Sequence, residues 1–285
     1  MEFRIAREDC LLFCRKEGEG PLLLLIHGVA CDSDYFQDTI AVLSLHFTVV
    51  SYDRRGYSRS TIVEKAERGH ADFSVAVQTE DAAFLIEQQQ MGPAFVAGCS
   101  AGGIIAVSLA ETYPFLVRGL FLHEPPLAGD EKMRRCIDDW FQKLCAAAEK
   151  KRMNKALLLL LQAMGGMEKT SKQKSLEAIT QDLKNLERFV YDEMEDFLHY
   201  PLKKGNFCIA APNPVDAGKT AGKSGQVPCV IAAGACDTEG LFACAAKSAA
   251  EYLNLPLLSA PGYHNLPADL PYEFAMLVLD SIRHM

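Results

Sequence analysis

The chain has 285 residues, 49% of them hydrophobic and 23% charged, enough for one large domain or two small ones with a substantial core. Its net charge of −8 argues against nucleic acid or an anionic membrane surface as the main partner, since both call for a basic face. The opening MEFRIAREDC is charged and lacks the apolar centre and small-residue cleavage site of a secretion signal, and the apolar run ALLLLL at 156–161 is too short to span a bilayer.

Ten cysteines are scattered without a C-x-x-C pair, so reduced thiols in a cytoplasmic protein are expected rather than a disulfide framework or a zinc site. In chain order, CLLFCR (10–15), PLLLLIHG (21–28), FTVVSYD (47–53), AFVAG (94–98) and GLFLHE (119–124) read as strands. Several are apolar throughout, as strands covered on both faces are. Between them DYFQDTIAVLSL, VAVQTEDAAFLIEQQQ and AGGIIAVSLAETY have helical spacing, and this alternation predicts an α/β fold with a mostly parallel sheet.

The alternation stops between about 127 and 226. Charged, Leu- and Met-rich helical stretches (134–164 and 176–200) are followed by a loop rich in Gly, Lys, Pro and Ala at 205–226. Strands resume with VPCVIAAG (227–234) and PLLSAPG (256–262), before a helical C-terminus. The expected organisation is a core of residues 1–126 and 227–285, with a helical cap at 127–226 over the sheet edge where open α/β folds bind ligands. The Met and Leu residues of 153–167 are expected to form the core of that cap.

Gly98-Cys99-Ser100-Ala101-Gly102 follows an apolar strand and opens an apolar helix. It fits G-x-S-x-G, a sharp turn that exposes a nucleophilic serine, with small neighbours because strand and helix backbones run close together. The helix starting there turns its free N–H groups and positive dipole end toward any oxyanion that forms. A nucleophilic serine needs a base. Of seven histidines, His264 lies after the last predicted strand and before the last helix, where the chain order Ser…acid…His puts one. His27 ends a strand beside a glycine, and His123 precedes Glu124 in another.

On these motifs the chain resembles the α/β-hydrolases over nearly its whole length. LLLIHG resembles the segment whose backbone N–H, that of Val29 here, completes an oxyanion hole with that of Ala101. YDRRGYSRS (52–60) resembles the D-x-x-G-x-G-x-S stretch, with Ser58 in place of the second glycine. LHEPP (122–126), together with G-x-S-R-S and G-C-S-x-G, is similar to the fungal zearalenone lactonases.

Two carboxylates compete to orient His264. Asp237 stands three residues past Gly234 at a strand end, where most α/β-hydrolases keep the acid; it also suits a cap on the helix starting near Glu239. Glu124 ends the preceding strand, where the lactonase-like enzymes use a glutamate, and it also suits a plain strand-end hydrogen bond. The resemblance favours Glu124 and leaves Asp237 open. Asp53, Arg54 and Arg55 read as loop braces.

The expectation is a serine hydrolase that cleaves a carboxylic ester through an acyl-enzyme, with no cofactor. A serine nucleophile disfavours dehalogenase and epoxide hydrolase chemistry, for which those relatives use aspartate. Carbon–carbon bond hydrolysis or cofactor-free oxidation on the same triad, and a ligand receptor on this scaffold, are the rival readings. An apolar cap underside predicts a small hydrophobic ester or lactone as partner. The sequence carries no indication of oligomeric state.

Overall fold

Leu22–Ile26, Thr48–Tyr52 and Ala94–Cys99 are buried at every position, because each lies within a sheet covered on both faces. In the computed structural model, which describes residues 1–63, 72–166, 175–209, 226–236 and 239–285, these segments are β3, β4 and β6. The other strands are β1 (Glu2–Ala6), β2 (Cys10–Glu17), β5 (Thr61–Ile62), β7 (Val117–His123), β8 (Phe207–Cys208), β9 (Val227–Gly234) and β10 (Leu257–Ala260). The sheet order is β1-β2-β4-β3-β6-β7-β9-β10, with β5 beside β2 and β8 beside β9. Pairing is antiparallel at β1–β2, β2–β4 and β2–β5, and parallel from β4 through β10.

Alternate residues of each strand serve opposite faces. Leu22, Leu24 and Ile26 pack with α2 (Val75–Gln89), α3 (Ala101–Thr112) and α8 (Leu241–Leu253). Leu23 and Leu25 join the other core, with α1 (Gln37–Leu43) and α10 (Pro271–Arg283). The short helix α9 (Leu266–Asp269) leads into α10. Helix α3 is buried from Ala101 to Ala110, which accounts for its apolar circumference.

Between β7 and β9 the chain builds α4 (Glu131–Glu149), α5 (Met153–Ala163), α6 (Leu176–Arg188), a π-helical turn (Phe189–Glu193) and α7 (Met194–Leu198). The stretch expected to be helical over 134–164 is two helices. Lys151 takes φ +51°, its N–H donates to Ala148 O at 2.7 Å, and that of Arg152 donates to Ala147 O at 2.9 Å, ending α4 with a left-handed cap. In α5 only Ala156, Leu160 and Ala163 are buried, while Leu158 and Leu161 are exposed, so one stripe rather than the whole leucine run packs inward.

The inserted helices are bound to the sheet domain by Asn185 Nδ2 to Cys31 O (3.0 Å), Asp196 Oδ2 accepting from Val75 N–H (2.6 Å), and Tyr200 Oη to Glu111 Oε2 (2.8 Å). No helix among the described residues is long and apolar enough to cross a membrane.

Candidate active site

Five parallel strands, β3, β6, β7, β9 and β10, end side by side along one sheet edge. Following that edge, the chain places Gly28 and Val29 after β3, Ser100 after β6, Glu124 after β7, Gly234 at the end of β9, and His264 four residues past β10. The sheet topology thus collects residues from five separate segments.

Ser100 has φ +53° and ψ −128°, a conformation that a side chain rarely adopts, and it precedes the first turn of α3. Its N–H donates to His123 O at 2.9 Å and its carbonyl accepts from Gly103 N–H at 2.8 Å. A Cβ on Gly102 would lie 2.2 Å from Ile26 O, and one on Gly98 2.6 Å from Gly102 O, so both flanking glycines are required by backbone proximity. Ala101 is the first residue of α3, and Val29 follows Gly28 in the loop beside Ser100.

Glu124 also has positive φ, +45°, and is fixed at three points. Its N–H donates to Ala232 O at 3.0 Å, its Oε1 accepts from Gly234 N–H at 2.7 Å, and its Oε2 lies 2.5 Å from His264 Nδ1. Burial pushes this carboxyl's pKa up, but the hydrogen bond and charge of His264 outweigh it and hold the value at about 2. An ionised carboxylate can only accept, so Nδ1 carries a proton, and in a neutral ring the lone pair is then at Nε2. The His264 ring lies 4.6 Å from that of Phe242, and its carbonyl accepts from Tyr35 Oη at 3.5 Å. Asp237 lies outside the described residues.

His123 is wholly buried, 6.0 Å from His264 and 5.9 Å from Phe274 between ring centroids. Neither of its nitrogens has a partner among the described residues, and burial drives its pKa down to about 4. Asp53 and Arg55 do brace loops: Asp53 accepts from Ser33 Oγ (2.6 Å) and Arg59 Nε (2.8 Å), and Arg55 Nε donates to Asp81 (2.7 Å). Ser58 has φ +43°, which shows why a glycine suits that place in the D-x-x-G-x-G-x-S pattern; its hydroxyl donates to Asp32 Oδ2 at 2.6 Å.

The inserted helices approach the same edge. Trp140 of α4 packs edge-on against Phe242 at 5.5 Å, and a Cβ on Gly166, just past α5, would meet the Tyr263 ring at 2.7 Å. Phe242 and Gly234 have no motif around them that sequence reading could seize on; only the fold brings them to His264 and Glu124. No group of three or more His, Cys, Asp or Glu residues is placed to hold a metal ion among the described residues.

Residues 21–163, half of the chain, match the family model for the alpha/beta hydrolase fold. The chain belongs to the α/β-hydrolase family. It is 37% identical over 110 residues to the uncharacterized hydrolase YraK of Bacillus subtilis (strain 168), covering 39% of each chain. It is 36% identical over 106 residues to 2-(acetamidomethylene)succinate hydrolase of Mesorhizobium japonicum, covering 37% of this chain and 36% of that one. The matches thus span under two fifths of the length of these curated relatives. Across its full length this α/β-hydrolase-family chain superposes on a putative lipase of Acinetobacter baumannii AYE, with a TM-score of 0.68, 19% identity and 93% of that chain covered.

Proposed function

We propose that the protein is a serine hydrolase cleaving a carboxylic ester through an acyl-enzyme. In this reading Ser100 is the nucleophile, His264 the base, and Glu124 the carboxylate that orients it. The backbone N–H groups of Val29 and Ala101 form the oxyanion hole. The observation that carries the reading is the 2.5 Å contact between Glu124 Oε2 and His264 Nδ1, on the same edge as the strained turn that bears Ser100.

The steps follow from that arrangement. Nε2 of His264 takes the proton of Ser100 as Oγ bonds to the substrate carbonyl carbon, and the imidazolium formed stays paired with Glu124. Negative charge develops on the carbonyl oxygen, where two backbone N–H groups stabilise it. The imidazolium returns its proton to the departing alkoxide, and water, activated by the same imidazole, then releases the acid from Ser100.

Residues 127–226 act in this proposal as a cap. Support comes from both flanks of the site: Gly166 abuts Tyr263, the neighbour of His264, and Asn185 bonds Cys31, two residues from Val29. Trp140 of that cap, packed on Phe242 of the sheet domain beside His264, would give the cleft between them an aromatic lining, suited to a hydrophobic acyl or aryl group, in an open-chain ester or a lactone.

The test is turnover across a panel of aryl esters, alkyl esters, lactones and amides, with Ser100→Ala in parallel. The proposal expects hydrophobic esters or lactones to be cleaved, with lactones giving one product about 18 Da heavier than the substrate, and Ser100→Ala to be inactive. Preference for an amide or a carbon–carbon substrate over every ester would replace it.

A further inference from the structure

A buried charge network joins the inserted helices to the backbone beside Ser100. The side chains of Arg54 and Glu193 are both fully buried, and Arg54 Nη1 donates to Glu193 Oε2 at 2.8 Å. The same nitrogen donates to Gln78 Oε1 at 2.8 Å, and Tyr57 Oη donates to Glu193 Oε2 at 3.0 Å. Burial works against the charge on Arg54, but the Glu193 carboxylate holds the guanidinium protonated. Desolvation cancels much of what a buried ion pair gains.

Arg54 also reaches the loop that follows β3. Its Nη2 donates to Gly28 O at 3.1 Å, and its own backbone N–H donates to His27 Nε2 at 3.0 Å. A His27 ring that accepts at Nε2 carries its proton at Nδ1, which lies 2.9 Å from the same Gly28 O. Burial keeps that ring neutral, with a pKa lowered to about 3. Two donors, one of them cationic, therefore grip one carbonyl.

Gly28 O and Val29 N–H are opposite ends of a single planar trans peptide. Fixing the carbonyl fixes the direction of the N–H, and a cation on the oxygen strengthens the N–H as a donor. This peptide is next to the nucleophile: a Cβ on Gly28 would lie 2.8 Å from Ser100 Cβ and 3.4 Å from its Oγ.

We propose that Arg54 and His27 are positioning residues for the Val29 half of the oxyanion hole, and that Glu193, on the π-helical turn of the inserted helices, aims Arg54. The inference rests on the ester-cleaving reading of Ser100 and Val29. No proton leaves Arg54 during the reaction; it acts through the peptide. Seating of the inserted helices and strength of the oxyanion hole become one property, because Glu193 belongs to the first and Arg54 touches the second.

The experiment compares wild type with Arg54→Met, Glu193→Gln and the double variant Arg54→Met/Glu193→Leu, which leaves no buried charge unpaired. Each is measured for kcat and KM on an aryl ester, for inhibition by an aryl trifluoromethyl ketone, and for thermal unfolding. The ketone adds Ser100 Oγ to its carbonyl and places an oxyanion where the transition state has one. Loss of a whole oxyanion donor costs about 10²–10³ in kcat, so loosening one should cost Arg54→Met and the double variant about 10–100-fold, with KM within about threefold. The ketone should weaken by the same factor as kcat, while the double variant unfolds as wild type does. Glu193→Gln should fall between wild type and Arg54→Met. A folded double variant with wild-type kcat, or a kcat loss without matching loss of ketone affinity, overturns the inference. Wild type without Ser100-dependent turnover overturns the ester reading itself and the inference with it, a failure visible before any Arg54 variant is compared.

Discussion

Glutamine in place of Glu124 changes one atom and reverses a hydrogen bond. Glu124 Oε1 accepts from Gly234 N–H at 2.7 Å, and a backbone N–H can only donate. The amide oxygen of glutamine must take that place, which turns its NH2 toward His264 Nδ1. Facing a donor, Nδ1 becomes the lone-pair nitrogen and the ring proton moves to Nε2, the atom that should receive the proton of Ser100. A wrong tautomer of this kind costs about 10³–10⁴ in kcat, or about 4–5.5 kcal/mol of barrier.

The same substitution has a stability signature. The Glu124 carboxyl is held from its ordinary 4.5 down to about 2. A carboxyl with a depressed native value contributes stability above its unfolded value and loses it as pH falls from about 4.5 toward about 2, here up to about 3 kcal/mol. The gap between wild type and Glu124→Gln in urea unfolding should therefore narrow between pH 7 and pH 3. Steady-state ester kinetics and urea curves at the two pH values measure both effects. A folded glutamine variant within tenfold of wild-type kcat would refute the tautomer argument, and a large loss in Asp237→Asn instead would assign the orienting role to Asp237.

Three further outcomes follow from the geometry. His123→Phe removes a buried ring whose nitrogens have no partner among the described residues, so it should keep or raise stability at pH 7. The native ring, with its pKa at about 4, refuses a proton that the unfolded chain accepts below about 6.5. Wild type should therefore lose about 2 kcal/mol more than His123→Phe between pH 7 and pH 5, and equal losses in urea titrations would contradict this. Gly102→Ala puts a Cβ 2.2 Å from Ile26 O and should destabilise by about 1–3 kcal/mol in thermal unfolding; an unchanged Tm would show that the turn bearing Ser100 has slack. Among substrates of equal leaving group, aryl and long acyl esters should exceed acetyl esters in kcat/KM, and the opposite ranking would argue against an aromatic lining from Trp140 and Phe242.

The central strands were legible because burial on both faces leaves uninterrupted apolar runs such as Leu22–Ile26 and Val227–Gly234. Strand β1 was not: Glu2–Ala6 alternates charged and apolar residues with a period of two, but it is a short edge strand whose apolar Phe3 and Ile5 are only half-buried, so it offers no apolar run. The division of 134–164 into α4 and α5 turns on the left-handed Lys151, a residue with no turn preference to announce it. At the candidate site, a motif singles out Ser100 and chain order singles out His264, and the fold brings both to one sheet edge.

Glu124 and Asp237 stayed level in sequence because both follow strand ends; the hydrogen bonds of Glu124 to Gly234 and His264 are tertiary facts. In sequence Arg54 reads as a loop brace like its neighbours. Its reach to Gly28 and to Glu193, 139 residues away in the chain, belongs to the assembled fold.

The proposed acyl-enzyme is open to a direct test. Wild type mixed with excess of a hydrophobic aryl ester, quenched in acid within milliseconds and digested, should show the acyl mass on the peptide bearing Ser100. The bound acyl should form as fast as the first equivalent of aryl alcohol is released, and Ser100→Ala should show neither. Turnover with no acylated peptide at any quench time, or an acyl group on another residue, would contradict it.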